Sequence, residues 1–455
     1  MDAQEFVKEK IEKARKAQAI IATYTQEQID AIVKNIGKKI YENREILAHE
    51  AFEETRLGRY ENKTAKHISV TAGSWHYMKD KKSVGIIEED FENHTLTFAK
   101  PMGIVASICP STNPTTTATQ NAMISIKCAN AVIVAPHPRA AKCSEHCVAL
   151  IEEAILEKDG PKNLIQVLEE PTIERSAALM EQADVIVATG GAGMVKAAYS
   201  HGTPSFGVGQ GNIQCVVGPD YTDFQHLAAC TVANRAFDNG MPCTGEQVLY
   251  VPLEHKEAII SAFEAKGAYM IRKQSIMDHM RDTAFINNSI NRDIVGKTAP
   301  EYAKLMGFDI PKDTKVLMGE IFRYGEEEIL CREIMCPFIR IYAYRDVQDA
   351  VEAARINYNI EGAGHSSVFY TNDDSLLRFA AQQLPVGRLL VNQPGSGAAG
   401  NTTANGLNPT MSIGCGTWGG NALSENLTYR NLMNVTKIAY LIDSEPLDPE
   451  KEFAD

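Results

Sequence analysis

The chain has 455 residues, 44% of them hydrophobic, enough for a large core spread over two or three domains. Its 58 acidic against 45 basic residues give a formal charge of -13, and without a lysine or arginine run it is no match for a phosphate backbone or an anionic membrane surface. No stretch approaches the roughly 20 apolar residues of a membrane span, and the charged amphipathic start "MDAQEFVKEKIEKARKAQ" lacks a signal-peptide core, so the sequence reads as cytoplasmic.

The N-terminal segment reads as helices. Thr25 and Gln28 form a capping box ahead of Ile29, Ile32, Val33, Ile36 and Ile40 at helical spacing. "SVGIIEEDFENHTLTFAKPMGIV" then changes character, with β-prone runs flanking the turn-forming "ENH", and predicts an antiparallel hairpin.

Beyond it the pattern alternates: "GIVASIC" strand, "TTTATQNAMISIKCA" helix, "AVIVA" strand, "KCSEHCVALIEEAIL" helix, "LIQVL" strand, "TIERSAALMEQ" helix, "DVIVATGG" strand and turn. Apolar strands separated by helices predict a parallel sheet covered on both faces, with ligand at the carboxyl ends of the strands. The alternation continues after residue 233 with longer loops, among them the glycine-rich "NQPGSGAAGNTTANG" at 392–406, read as an active-site wall rather than a linker. The tail carries one β-prone stretch, which needs a partner such as a neighbouring subunit's sheet.

Thr189, Gly190, Gly191 and Gly193 follow an apolar strand and open a helix, where free backbone amides suit a pyrophosphate or a nicotinamide ring; the spacing is not GxGxxG, and glycine turns are common in α/β proteins. "ICPSTNP" and "APHPRA" close the two preceding strands on the same side. Cys143, His146, Cys147 and Leu150 recur at i, i+3, i+4 and i+7, the buried face of a helix rather than a metal site. The ten cysteines include no CxxC pair and read as reduced thiols.

Cys243 differs from the other nine. It follows "DNGMP" and is expected to open a helix at "TGEQ", where the dipole would stabilise a thiolate; the residues alone leave it between nucleophile and buried cysteine. Cys415 in "IGCGTWGGN" is the rival thiol, and His365 in "EGAGHSS" is a candidate acid/base or a structural histidine.

Together "FDNGMPCTGEQ", "PSTNP", "APHPRA", "TGGAGMVKAAYSHG", "GVGQGN", "GAGHSS" and "GCGTWGGNALSEN" resemble, in order and over essentially the whole chain, the aldehyde dehydrogenase superfamily and its CoA-acylating branch. The resemblance implies an α/β fold with a Rossmann-type cofactor domain (1–82 and 102–233), an α/β catalytic domain (234–425) and a small β oligomerisation arm (83–101 and 426–455), assembled as a homodimer or homotetramer. It implies NAD or NADP as cofactor, coenzyme A as co-substrate and no metal. Cys243 becomes the nucleophile, His365 the acid/base, and the Cys243 amide with Thr112 or Asn113 the oxyanion donors. Cofactor contacts fall to Pro110, His137, Arg139, Thr189, Gly190, Gly191, Gly193, Met194 and Glu333, the last holding the nicotinamide ribose.

One departure carries the mechanism. Hydrolytic members have a water-activating glutamate where this chain reads "FGVGQGN", with Val208 and glycines at that place, so the acyl-enzyme thioester should wait for a thiol. Gln210 stands where relatives often carry proline or alanine. Thiolate attack gives a thiohemiacetal, hydride loss gives a thioester, and CoA takes the acyl group in a step that runs either way.

Gln393, Ser396 and Arg388 are the candidates for gripping a short anionic aldehyde such as sulfoacetaldehyde or succinate semialdehyde; acetaldehyde or another short neutral aldehyde is the alternative, and Arg388 also fits as a structural arginine. The resemblance further implies a free-standing enzyme, without the iron-dependent alcohol dehydrogenase domain of bifunctional relatives or the extension that targets others to microcompartments. A cysteine thioester hydrolase would instead release CoA without consuming NAD(P)H, and a non-catalytic assembly protein would leave Cys243 no more reactive than the buried thiols.

Overall fold

In the computed structural model, which describes residues 2–400, 403–444 and 446–454, the chain opens with α1 (Ala3–Ile21), α2 (Gln26–Glu42), α3 (Arg44–Thr55), α4 (Tyr60–Ile68) and α5 (Ser74–Met78). α2 starts at the expected capping box, Thr25 accepting from the Gln28 amide and the Gln28 side chain accepting in return from the Thr25 amide. Such a cap contributes about 1 kcal/mol. Ile29, Ile32, Val33, Ile36 and Ile40 are all buried, so the helical stripe read from the sequence is the face that meets the core.

The hairpin forms from β1 (Gly85–Asp90) and β2 (Thr95–Pro101). Next come β3 (Ile104–Ile108), β4 (Ala131–Ala135), β5 (Ile165–Val167), β6 (Val185–Thr189) and β7 (Ser205–Val208), an all-parallel sheet in the order β5-β4-β3-β6-β7. Its crossovers are α6 (Pro114–Lys127), α7 (Ala141–Leu156), α8 (Ile173–Gln182) and α9 (Ala192–Ser200). β3 and β4 are buried along their whole length, as strands covered on both faces must be. Cys143, Cys147 and Leu150 lie on the buried side of α7, and among the described residues no group of three His, Cys, Asp or Glu could hold a metal.

After β8 (Ile213–Val217) and α10 (Phe224–Ala236), a second parallel sheet is built with β9 (Glu246–Pro252), β10 (Ala268–Ile271), β13 (Val316–Glu320), β14 (Phe338–Tyr344), β15 (Gly364–Tyr370) and β16 (Val386–Val391); β11 (Phe285–Ile286) and β12 (Ser289–Ile290) form a small separate pair. The order is β10-β13-β14-β9-β8-β15-β16. Side chains alternate between two apolar cores: Val248 and Tyr250 of β9 join one face, Leu249 and Val251 the other. β8 pairs with β9 and β15, so the second sheet takes its first strand upstream of the boundary expected at 234. Hydrophobic periodicity marks a strand but not the sheet it joins.

β17 (Met433–Ala439) runs antiparallel to β2 of its own chain. The strand thus finds one partner on the open edge of the hairpin within its own chain, and as the last strand of that sheet it keeps its other edge free for a neighbour. Among the described residues, no helix is long and apolar enough to cross a membrane.

Candidate active site

β7 ends at Val208 and β8 begins at Ile213, so the short Gly209–Asn212 turn joins the C-terminal edge of the first sheet to the N-terminal edge of the second. The strand ends on either side of that turn carry several of the residues singled out from the sequence. β3, β4 and β6 are neighbours in parallel register, and their C-terminal ends deliver Pro110, then His137 and Arg139, then Thr189 with Gly190 and Gly191. From the other sheet come Cys243 ahead of β9, Glu333 ahead of β14 and His365 at the start of β15.

Cys243 does not open a helix. It sits in a turn closed by the Gly245 amide donating to the Pro242 carbonyl at 3.0 Å, and the chain continues straight into β9. The dipole argument therefore fails, and the shift runs the other way: burial pushes the Cys243 thiol up to about 12, reinforced by the neighbouring Glu333 carboxyl and Cys415 thiol. The turn is held against Gly211, where an added Cβ would lie 1.9 Å from the Cys243 carbonyl oxygen. No residue but glycine fits that approach.

His365 Nε2 lies 3.3 Å from the Cys243 sulfur. Burial first, and the Arg388 guanidinium second, push this imidazole down to about 3, so it rests neutral. A neutral ring facing a thiol with Nε2 as acceptor carries its proton on Nδ1, which is buried and has no partner among the described residues. The pair is thus thiol and imidazole at rest, with a proton acceptor in hydrogen-bond reach of the sulfur, the arrangement that a cysteine nucleophile needs. Cys415 is fully buried where Cys243 keeps partial exposure, its sulfur donating to the Ile413 carbonyl at 3.5 Å and its thiol also pushed up by burial.

Glu333 is buried beside Gln210, whose side chain hydrogen-bonds to it; burial and the Glu361 carboxyl push it up to about 8. Its backbone amide donates to Glu361 Oε2 at 2.6 Å, and Arg332 pairs with the same carboxylate at 3.2 Å. A cleft of about 570 Å³ opens next to Gln210 and Arg332, bordered by Lys196, Tyr199 and Trp418, within the size range of small-ligand sites.

The strand-end residues on the first sheet fit a dinucleotide. Gly191 caps α9 without a side-chain bond, and a Cβ added at Gly191 or Gly193 meets nothing within 4 Å, so the outer face of this turn is open to close approach. Thr189 faces Ser412, hydroxyl to hydroxyl, at 3.4 Å, and the Met194 amide donates to Gly191 at 2.9 Å. His137 Nδ1 accepts from the Arg139 amide, and Arg139 donates to the Thr55 carbonyl, both at 3.1 Å.

Of the substrate candidates, Ser396 hydrogen-bonds to the residue after Cys243, its hydroxyl 2.8 Å from that of Thr244. Gln393 accepts from Asn405 at 3.0 Å. Arg388 donates through Nη2 to the Gly414 and Ser424 carbonyls, while Nη1 has no partner among the described residues. Asn401 and Thr402 of the glycine-rich loop fall outside the described residues.

Two groups escaped the sequence reading. Buried Glu246, pushed up to about 6 mainly by burial, accepts from Asn234 and from the Gly395 amide, and so clamps the substrate loop to the strand that follows the nucleophile. Lys63, Lys66 and Asp238 form a buried ionic cluster between α4 and the turn before Cys243. Glu246 was in view within "CTGEQ"; the lysines, in the mostly polar run "ENKTAKH", gave no local signal.

The sequence model of the Aldehyde dehydrogenase family matches residues 2–428. The chain is similar to the succinate-semialdehyde dehydrogenase (acetylating) of Clostridium kluyveri, 44% identical over 434 residues and 95% of either chain. It is also similar to the sulfoacetaldehyde dehydrogenase (acylating) of Bilophila wadsworthia, 36% identical over 454 residues, 97% of this chain and 96% of that one. Among solved structures, an acetylating aldehyde dehydrogenase from Geobacillus thermoglucosidasius superposes with a TM-score of 0.94 at 34% identity, covering 98% of each chain.

Proposed function

This chain belongs to the aldehyde dehydrogenase family, in its CoA-acylating branch, and from that premise we propose that Cys243 carries an acyl group from a short anionic aldehyde to coenzyme A. The observation that carries the reading is the Cys243–His365 contact at 3.3 Å beside a turn that offers Val208, and no carboxylate, at the place of the water-activating base.

Thiol attack on the aldehyde carbonyl sends the thiol proton to His365 Nε2 and forms a thiohemiacetal on Cys243. Pro110, His137, Arg139, Thr189, the Gly190–Gly193 turn, Met194 and Glu333 would hold NAD(P)+, which supplies the hydride acceptor. The Cys243 amide and the Thr112–Asn113 turn receive the oxyanion. With Val208 rather than a carboxylate at the place of the water-activating base, the thioester on Cys243 persists until the CoA thiol attacks, and His365 takes and returns the proton of that thiol. Exchange of one thioester for another is nearly isoenergetic, so the reaction runs in both directions.

The two similar enzymes named for succinate semialdehyde and sulfoacetaldehyde support a substrate with a short chain and an anionic end. Ser396, Thr244 and Gln393, with the Arg388 nitrogen that has no partner among the described residues, are the polar groups available for that end. Exposed Val435, Ile438, Tyr440 and Leu441 on and beyond β17 support self-association through the three-stranded arm as a dimer or tetramer.

The test is NAD(P)H formation by purified protein with NAD+ or NADP+ and a panel of short aldehydes, each with and without CoA. Sustained reduction that requires CoA, fastest with succinate semialdehyde or sulfoacetaldehyde, is the expected result. Sustained reduction without CoA overturns the acyl-transfer reading, and a preference for acetaldehyde overturns the anionic substrate.

A further inference from the structure

Three side chains of α4 grip the turn between β3 and α6 and the first turn of α6. Lys63 Nζ donates to the Thr112 carbonyl at 3.2 Å, Lys66 Nζ to Asn113 Oδ1 at 2.7 Å, and His67 Nε2 meets the Thr115 hydroxyl at 3.0 Å. Spacing of i, i+3 and i+4 puts all three on one helix face. We propose that Lys66 is a positioning residue: it fixes the Asn113 amide so that the NH2 group is the oxyanion donor, and through Asp238 it locks that donor to the nucleophile turn. The proposal rests on the reading of Cys243 as the nucleophile.

The orientation of an asparagine amide is set by its partners, and an ammonium only donates. Lys66 therefore claims Oδ1 and leaves Nδ2 as the free end. Asn113 is the N-cap of α6, where an asparagine oxygen normally accepts from the first-turn amides, yet it makes no such bond. Nδ2 reaches only the Thr112 hydroxyl, at a long 3.5 Å, among the described residues. An N-cap that forgoes its cap and keeps a donor unspent is arranged for another acceptor.

The other end of Lys66 bonds to the Asp238 carboxylate, which is fully buried and also accepts from the Arg59 amide at 2.6 Å. Asp238 and Asn239 hold left-handed backbone, φ 48 and 54, in the turn that leads into Cys243. Lys63 stands 3.9 Å from the same carboxylate, so two ammonium groups face one carboxylate in a buried site. The surplus positive charge sits beside the atoms where an oxyanion develops, and it acts on the Cys243 thiol in the direction of ionisation.

The experiment uses the full-length enzyme with its preferred aldehyde, NAD(P)+ and CoA, and reads kcat, KM and the NAD(P)H burst for Asn113→Ala, Asn113→Asp, Lys66→Met, Lys66→Arg and the Lys66→Met/Asn113→Ala double variant. Asn113→Ala should lower kcat about 100-fold with KM within about threefold. Asn113→Asp keeps an oxygen for Lys66 but loses the donor, so it should fold and be as slow as the alanine variant. Lys66→Met should match them, the double variant should be no more than about threefold worse than either single change, and Lys66→Arg, which also only donates, should recover at least about tenfold. Near-normal kcat in Asn113→Asp, or losses that multiply in the double variant, would overturn the proposal. Cys243→Ala runs alongside: a burst surviving there shows instead that the nucleophile assignment has failed.

Discussion

The two parallel sheets bring opposite edges to one site. β3, β4 and β6 arrive with their C-terminal ends and offer backbone: a glycine turn, a helix start and room for close approach. β9, β14 and β15 arrive with their N-terminal ends and offer reactive side chains, Cys243, Glu333 and His365, each burial-shifted toward its neutral form. Under the proposed function, ligand recognition and covalent chemistry fall to different kinds of group, and the reactive edge holds its charge in reserve until a carbonyl arrives. Cys415 sharpens the point, since its thiol is also pushed up by burial yet its sulfur donates to the Ile413 carbonyl and, among the described residues, hydrogen-bonds to no histidine. What distinguishes Cys243, as the proposed nucleophile, is a proton acceptor within reach, not acidity.

That division is broken most severely at Cys243. Cys243→Ala should lower turnover by on the order of 10⁴ or more, while the Kd for NAD(P)H, read by fluorescence titration, stays within about threefold. A matching loss of cofactor affinity would show that the edges do not act separately. His365→Asn removes the acceptor and should slow the NAD(P)H burst by roughly 10²–10⁴, again with cofactor affinity kept. Val208→Glu, at the junction between the sheets, should raise CoA-independent NAD(P)H formation by about tenfold, an effect of the size one partly positioned base supplies. Acid product at the wild-type rate would count against Val208 as the reason that water is refused.

Much of the first edge was legible because its signals are local. Apolar strands such as Val185–Ala188, ending in glycine, announce themselves within one window, and the Thr25–Gln28 cap is likewise a four-residue pattern. The second edge was legible as a set of residues but not as a setting. "TGEQ" suits a helix start, yet Glu246 and Gln247 begin β9, because the following β-prone run is drawn between β14 and β8. The grip of α4 was invisible: Lys66 lies 47 positions from Asn113 and 172 from Asp238, and no periodicity connects groups that the fold alone brings together.

Glu333 gives the smallest effect and the one that probes where the edges meet. Burial, with Glu361 second, raises its pKa from 4.5 to about 8, so in the ligand-free protein it is protonated at neutral pH. The unfolded chain loses that proton near the ordinary value; between there and about 8 the native state therefore binds more protons, and this contribution to stability is lost as pH rises through that window. Binding runs in the opposite sense. A carboxylate accepts more strongly from ribose hydroxyls and attracts the cationic nicotinamide, so the Kd for NAD+ or NADP+ should fall a few-fold between about pH 7 and 9, with tenfold per unit as the limit. Glu333→Gln should flatten both profiles, in thermal melts of the free protein and in cofactor titrations. A Kd that kept its full pH dependence in Glu333→Gln would place the titrating group elsewhere and remove Glu333 from the cofactor's surroundings.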